Sequence, residues 1–259
     1  MRTDEHDRTC DILGIRVKTL DWPEVLRDLE DALEPGRPQR LVNFLNANNA
    51  NIAHGNQAYR RSLARSDVLP DGIGVDIASR LLHGRPFPAN LNGTDLIPAF
   101  LVHVTRPLRV ALIGAREEVI EAAVGNFAKA TPWHAFRAIS HGYFSPSETG
   151  AILADLAAFD PDVTLVALGS PAQEIWMDAH IGPGHGRLVF GVGALFDFVS
   201  GVVPRAPELV RNLRLEWVYR LMVEPGRLWR RYILGNPVFL YRVLRYKYSG
   251  SRLEPRAAR

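Results

Sequence analysis

The chain has 259 residues, 47% of them hydrophobic, which is ample for one large α/β domain with or without an appendage. A single cysteine, Cys10, excludes an intramolecular disulfide framework and a cysteine-built zinc site, and fits a reducing compartment. The net charge of +3 hides an asymmetry: residues 205–259 hold 13 Lys+Arg against 4 Asp+Glu, whereas residues 1–204 hold 18 against 24. The polar start reads as no signal peptide, and no apolar run reaches the roughly eighteen residues that a spanning helix needs.

Residues 1–8 are expected to be disordered. Residues 12–20 read as a short strand or hairpin. Asp21-Trp22-Pro23 then opens a helix that runs to about Leu33, with a cap-like aspartate and an early proline. Residues 40–45 are a strand, and the asparagine-rich stretch 46–51 is a turn into a helix over 52–63. Val68-Leu69 is a short strand running into Pro70. Asp71-Gly72 turns the chain, and a helix follows from Gly74. Free N–H groups at a helix start attract phosphate, so Asp71 is placed to act as an acid or base beside an anion site. The plainer alternative is that Asp71 only caps the helix.

A further polar turn, 90–95, leads to an apolar helix over 96–104. Strands over 108–114, 136–139, 163–169 and 187–191 alternate with helices over 117–130 and 146–159 and from Ser170 onward. This alternation predicts an α/β fold: a mostly parallel, Rossmann-like sheet flanked by helices. Ligands in such sheets bind beyond the carboxyl ends of the strands. The polar turns at Asn46, Asp71, Asn92–Asp95, Gly114, Gly169–Glu174 and Gly193 therefore belong to one edge.

From Arg205 the pattern changes, and residues 205–259 read as a basic helical appendage to a body over 1–204. Helices are expected over 208–223, from Pro225 to about 234 and, after a break at Gly235-Asn236-Pro237, over 238–248. Arg220, Arg227 and Arg230 recur at intervals of seven and three, which share a face on a continuous helix. Pro225 interrupts them, and a solvated basic face is the alternative. Interleaved aromatic residues such as Trp217, Trp229 and Tyr232 suit a membrane surface, nucleic acid or a phosphate-bearing substrate.

Other chemistry is weakly represented. The histidines have no metal-binding spacing, so no metal site is expected. Ser170 lacks the G-x-S-x-G context of a hydrolase elbow. Gly191-Val192-Gly193-Ala194 lacks the third glycine and acidic partner of a dinucleotide fingerprint. Asp197 either bonds a ribose or ends a strand. Gln173 and Glu174 either touch a ligand or cap a helix.

Pro70-Asp-Gly-Ile-Gly-Val75, Gly93-Thr-Asp-Leu96, Ala167-Leu-Gly-Ser-Pro-Ala-Gln-Glu174, Gly191-Val-Gly-Ala194, Arg205-Ala-Pro207 and Glu216-Trp-Val-Tyr-Arg-Leu-Met-Val-Glu-Pro-Gly-Arg227 occur in that order. Together they resemble the WecG/TagA/CpsF glycosyltransferases, glycosyltransferase family 26, from about Cys10 to Leu244. The resemblance implies an inverting transferase that needs neither metal nor cofactor. Its partners would be a UDP-sugar donor, a polyprenyl-diphosphate-linked sugar acceptor and the inner face of a bacterial membrane, with no nucleic acid. A homo-oligomer stays open.

The same resemblance implies Asp71 as catalytic base. It also matches the family's C-terminal arginines to Arg220, Arg227 and Arg230, and substrate contacts are expected at these, at Arg205, and in the strand-end turns at Asn46, Asn92, Thr94, Asp95, Gly114, Gly169, Gln173, Glu174 and Gly193. The tail would both close over the diphosphate and dock on lipid. Two departures bear on the donor. Many members have arginine where this chain has Asn90, and threonine in the strand read here as Asn43-Phe-Leu-Asn46. These positions look more like the GumM-type exopolysaccharide β-1,4-glucosyltransferases, so UDP-glucose is the expected donor. UDP-N-acetylmannosamine or its uronic acid is the alternative. A nucleotide- or nucleic-acid-binding protein without transfer is the alternative of a different class.

Overall fold

Charge-free apolar runs at Val163–Ala167 (β7) and Leu188–Gly191 (β8) are buried along their whole length, as strands covered by helices on both faces must be. They form the centre of a six-stranded sheet with β3 (Arg40–Leu45), β4 (Asp67–Pro70), β5 (Arg109–Gly114) and β6 (Ala135–Ser140), in the order β4-β3-β8-β7-β5-β6. Every pairing in it is parallel. The computed structural model describes residues 8–207, 210 and 216–249, without the side chain of Arg227. The expectations for residues 1–7 and for the start of the 208–223 helix lie outside the described residues.

The predicted hairpin forms a separate antiparallel ribbon of β1 (Thr9–Ile12) and β2 (Ile15–Lys18). Helix α1 (Trp22–Ala32) begins with the expected Asp21 cap, closed into a capping box by Glu24. The asparagine-rich stretch differs from expectation: it is helical from its second residue. Asn46 Oδ1 accepts the Asn49 N–H at 3.0 Å and so caps α2 (Ala47–Gly55). The small residues Ala47, Ala50 and Ala53 then let α2 pack closely, which a turn would not. Helix α3 (Gln57–Ala64) follows.

Beyond β4, α4 (Ile73–His83) ends at Gly84, whose φ of +76° suits a glycine stop. The remaining body helices are α5 (Gly93–His103), α6 (Glu117–Ala130), α7 (Thr149–Phe159), α8 (Ala172–His180) and α9 (Leu195–Val199).

The C-terminal segment comprises α10 (Glu216–Val223), α11 (Pro225–Trp229), a π-helical turn (Arg230–Leu234) and α12 (Gly235–Tyr248). The expected break at Gly235-Asn236-Pro237 is absent. Gly235 has helical angles, φ −67° and ψ −40°. Pro237 falls in the first turn of α12, where its missing N–H costs nothing. This last helix is not confined to the surface. Phe239 and Val243 are fully buried with Ala47, Val75 and Ala78 of α2 and α4. Asn51 Nδ2 donates to the Gly235 carbonyl at 2.7 Å, and Arg242 Nη1 donates to Asn51 Oδ1 at 2.7 Å.

Candidate active site

A parallel sheet points its strand ends, and the loops that follow them, to one side. Here Asn46 after β3, Asp71 after β4, Ala115 after β5, Tyr143 after β6, Gly169 after β7 and Gly193 after β8 all line one cavity of about 570 Å³. The start of α5 and residues of α10, the π turn and α12 complete its wall.

Asp71 does not cap α4. The cap position is Gly72, at φ +86°, and no side chain caps that helix. Instead the Asp71 N–H donates to the Leu45 carbonyl at 2.9 Å, and Asp71 Oδ2 accepts from Asn46 Nδ2 at 2.9 Å. Asn46 thus spends its oxygen on α2 and its nitrogen on Asp71, and fixes the carboxylate rather than offering itself to a ligand. Asn90 acts on the next residue: its Oδ1 accepts the Gly72 N–H at 2.7 Å.

The α5 side is equally committed. Asn92 Oδ1 accepts the Asp95 N–H at 3.0 Å, and Asn92 Nδ2 donates to Asp95 Oδ2 at 2.7 Å. Arg205 stands behind this wall. Its Nη2 donates to Asp95 Oδ1 at 2.7 Å, its Nη1 to the Thr94 carbonyl at 3.2 Å, and its Nε lies 3.5 Å from Glu216 Oε1. It ties α10 to the body and does not face the cavity, contrary to expectation. Burial raises the Glu216 carboxyl above its ordinary range. Arg205 and Arg220 pull it down, and Asp95 and Asp71 push it up as like charges.

Gln173 lines the cavity, but its amide is engaged within the protein. Gln173 is 3% exposed, and its Oε1 accepts the N–H groups of Gly169 at 3.2 Å and Gly193 at 3.1 Å. Those backbone donors therefore serve the protein itself. Glu174 lies under the floor and does not line the cavity. Gly114 is likewise displaced: any side-chain carbon there would strike the Ala167 backbone, so this glycine serves strand packing, at φ +125°.

Of the tail arginines, Arg220 lines the cavity, with its guanidinium 5.1 Å from the Phe198 ring. Arg227 lies in α11, and its side chain falls outside what is described. Arg230 is exposed over the Trp229 ring at 5.3 Å, and its neighbour Arg231 lines the cavity instead. The shared face expected for Arg220, Arg227 and Arg230 needs one continuous helix, and that helix is interrupted at Glu224, with φ −130° and ψ 59°. The Nε atoms of Arg220 and Arg231 are buried without a hydrogen-bond partner among the described residues. Sequence reading also missed Arg116 and Tyr143 on the wall, the latter 76% exposed. Their only signal was position just after β5 and β6. Among the described residues, no group of three His, Cys, Asp or Glu stands ready for a metal.

The parallel sheet thus carries one polar cavity at its carboxyl edge, lined by the Asp71 carboxylate and by two arginines whose Nε atoms have no hydrogen-bond partner among the described residues. The WecG/TagA/CpsF glycosyl transferase family model matches residues 10–253, and the chain belongs to that family. A Bacillus spizizenii protein is 33% identical over 201 residues, covering 76% of each chain. A Staphylococcus aureus protein is 28% identical over 253 residues, covering 95% of this chain and 97% of its own. Both are named N-acetylglucosaminyldiphosphoundecaprenol N-acetyl-β-D-mannosaminyltransferases. Neither name carries the glucose donor or the exopolysaccharide setting that the motifs suggested.

Proposed function

We propose that this glycosyltransferase moves N-acetylmannosamine from its UDP conjugate to a polyprenyl-diphosphate-linked N-acetylglucosamine, with inversion and without a metal. The observation that carries the reading is that one cavity is lined both by Asp71, held by Asn46, and by Arg220 and Arg231, whose Nε atoms have no hydrogen-bond partner among the described residues. Asp71 takes the proton of the acceptor hydroxyl as its oxygen bonds the anomeric carbon. The bond from that carbon to the diphosphate breaks, and the charge on departing UDP falls to the guanidinium groups. The names of the relatives favour the mannosamine donor over glucose.

The acceptor's lipid tail requires a membrane surface. Nine of the fourteen exposed large apolar side chains among the described residues fall between Met222 and Tyr248, beside Arg230, Arg245 and Lys247. That mixture suits peripheral docking on anionic lipid. No helix among the described residues is long and apolar enough to cross a membrane.

A second reading keeps UDP-glucose as donor. It is favoured by Asn90, whose side chain bonds the Asp71 loop where many members carry arginine. The experiment is UDP release from a donor panel, with short-chain N-acetylglucosamine- and glucose-diphosphate lipids as acceptors. Release with UDP-N-acetylmannosamine and the first acceptor is expected. Release with UDP-glucose alone would install the second reading, and no release with any pair would overturn the transferase reading.

A further inference from the structure

The floor beneath the cavity holds a buried acid that the transfer chemistry above leaves unused. Glu174 is 1% exposed. Its Oε1 accepts from Ser170 Oγ at 2.6 Å, Gln173 Nε2 at 3.1 Å and, more distantly, the Tyr59 hydroxyl at 3.5 Å. Its Oε2 has no partner among the described residues, and the same holds for the buried Asn43 Oδ1. Asn43 Oδ1 and Gln173 Nε2 both border Gly191, where a side-chain carbon would strike them.

An ionised carboxylate spreads its charge over both oxygens, and a buried charge-bearing oxygen without a donor is costly. Among the described residues, no lysine or arginine pairs with Glu174 to offset it. A proton on Oε2 removes that charge. Burial pushes the Glu174 carboxyl up in the same direction.

The acid acts on the site through Gln173. That amide must present its oxygen to the Gly169 and Gly193 N–H groups, since a flipped amide would set N–H against N–H. The bond from Gln173 Nε2 to Glu174 Oε1 holds the other end of the amide and reinforces that orientation.

We propose that Glu174, held as a neutral carboxylic acid, is a positioning residue: it orients the Gln173 amide and thereby sets the two loops after β7 and β8 that frame the cavity. The catalytic part of its test rests on the function proposed above, and the structural part does not.

Amide hydrogen exchange at Gly169 and Gly193, and steady-state UDP release, are measured on the full chain for Glu174→Gln, Glu174→Ala and Ser170→Ala. Glu174→Gln keeps the shape and cannot ionise, so both amides should stay protected, with kcat within about 3-fold of wild type. Glu174→Ala should speed exchange at both glycines at least about tenfold. It should lower kcat roughly 10²-fold through misplacement, with a smaller change in donor KM. Ser170→Ala should act in the same direction more weakly, and it carries the test if Glu174→Ala does not fold. The proposal is overturned if Glu174→Gln behaves like Glu174→Ala, or if Glu174→Ala leaves both amides protected. A wild type that releases no UDP but shows the expected exchange pattern would sink the transferase reading alone.

Discussion

The two sides of the cavity are built on opposite plans. On the sheet side nearly every polar group is spent on another: Asn46 on Asp71, Asn90 on Gly72, Asn92 on Asp95, and Gln173 on Gly169 and Gly193. On the side of the C-terminal segment, Arg220 and Arg231 keep buried Nε atoms without partners among the described residues. A base must be aimed before the substrate arrives, and internal hydrogen bonds do that without reorganisation. A cation meant for a diphosphate is better left unpaired, because an internal carboxylate would compete with the ligand.

The largest expected effect breaks the aimed side. Asp71→Asn removes the base but keeps a group of the same shape beside Asn46. We expect kcat to fall by about 10² to 10⁴-fold while UDP still binds, measured by UDP release and by nucleotide titration. Retained turnover would remove Asp71 from the reaction.

The next effect sharpens the unpaired side. Arg231→Ala and Arg220→Ala should each cost roughly 10²-fold in kcat/KM. Arg230→Ala should stay within about 2-fold, because its guanidinium lies exposed on Trp229. The opposite ranking of Arg230 and Arg231 would show that Arg231 is not the arginine that meets the diphosphate.

The smallest effects concern the strut between the two sides. Arg205→Ala breaks the contacts to Asp95 and Thr94 and the pairing with Glu216, and should cost about 1–2 kcal/mol in urea unfolding. Glu216→Gln should act the other way. The folded-state pKa of Glu216 is raised, chiefly by burial, so its contribution to stability is present in acid and lost as pH rises through that raised value. The glutamine variant escapes this loss. Its advantage over wild type should be largest near pH 7, under about 1 kcal/mol, and should vanish in acid. An advantage that grows in acid would contradict the assigned direction.

The sequence by itself determined the alternation of apolar strands and amphipathic helices, and with it a parallel sheet whose carboxyl edge carries the polar turns. Those signals are local: uncharged apolar runs for β7 and β8, and the cap-like Asp21 with the early Pro23 for α1. Asp71 was legible for the same reason, since it follows a strand directly.

Only the tertiary structure decided which polar residues face the ligand and which face each other. Asn46 and Gln173 line the cavity and Glu174 does not, while the hydrogen-bond partners of all three lie on other strands and helices, at Asp71, Gly193 and Tyr59. Arg231 rather than Arg230 lines the cavity, a choice between neighbours that no periodicity announces. The placing of Phe239 and Val243 in the core depends on α12 returning to α2 and α4. Sequence spacing reports neighbours along a helix or strand, whereas a side chain's last contact is set by what the rest of the fold brings within about 3 Å of it.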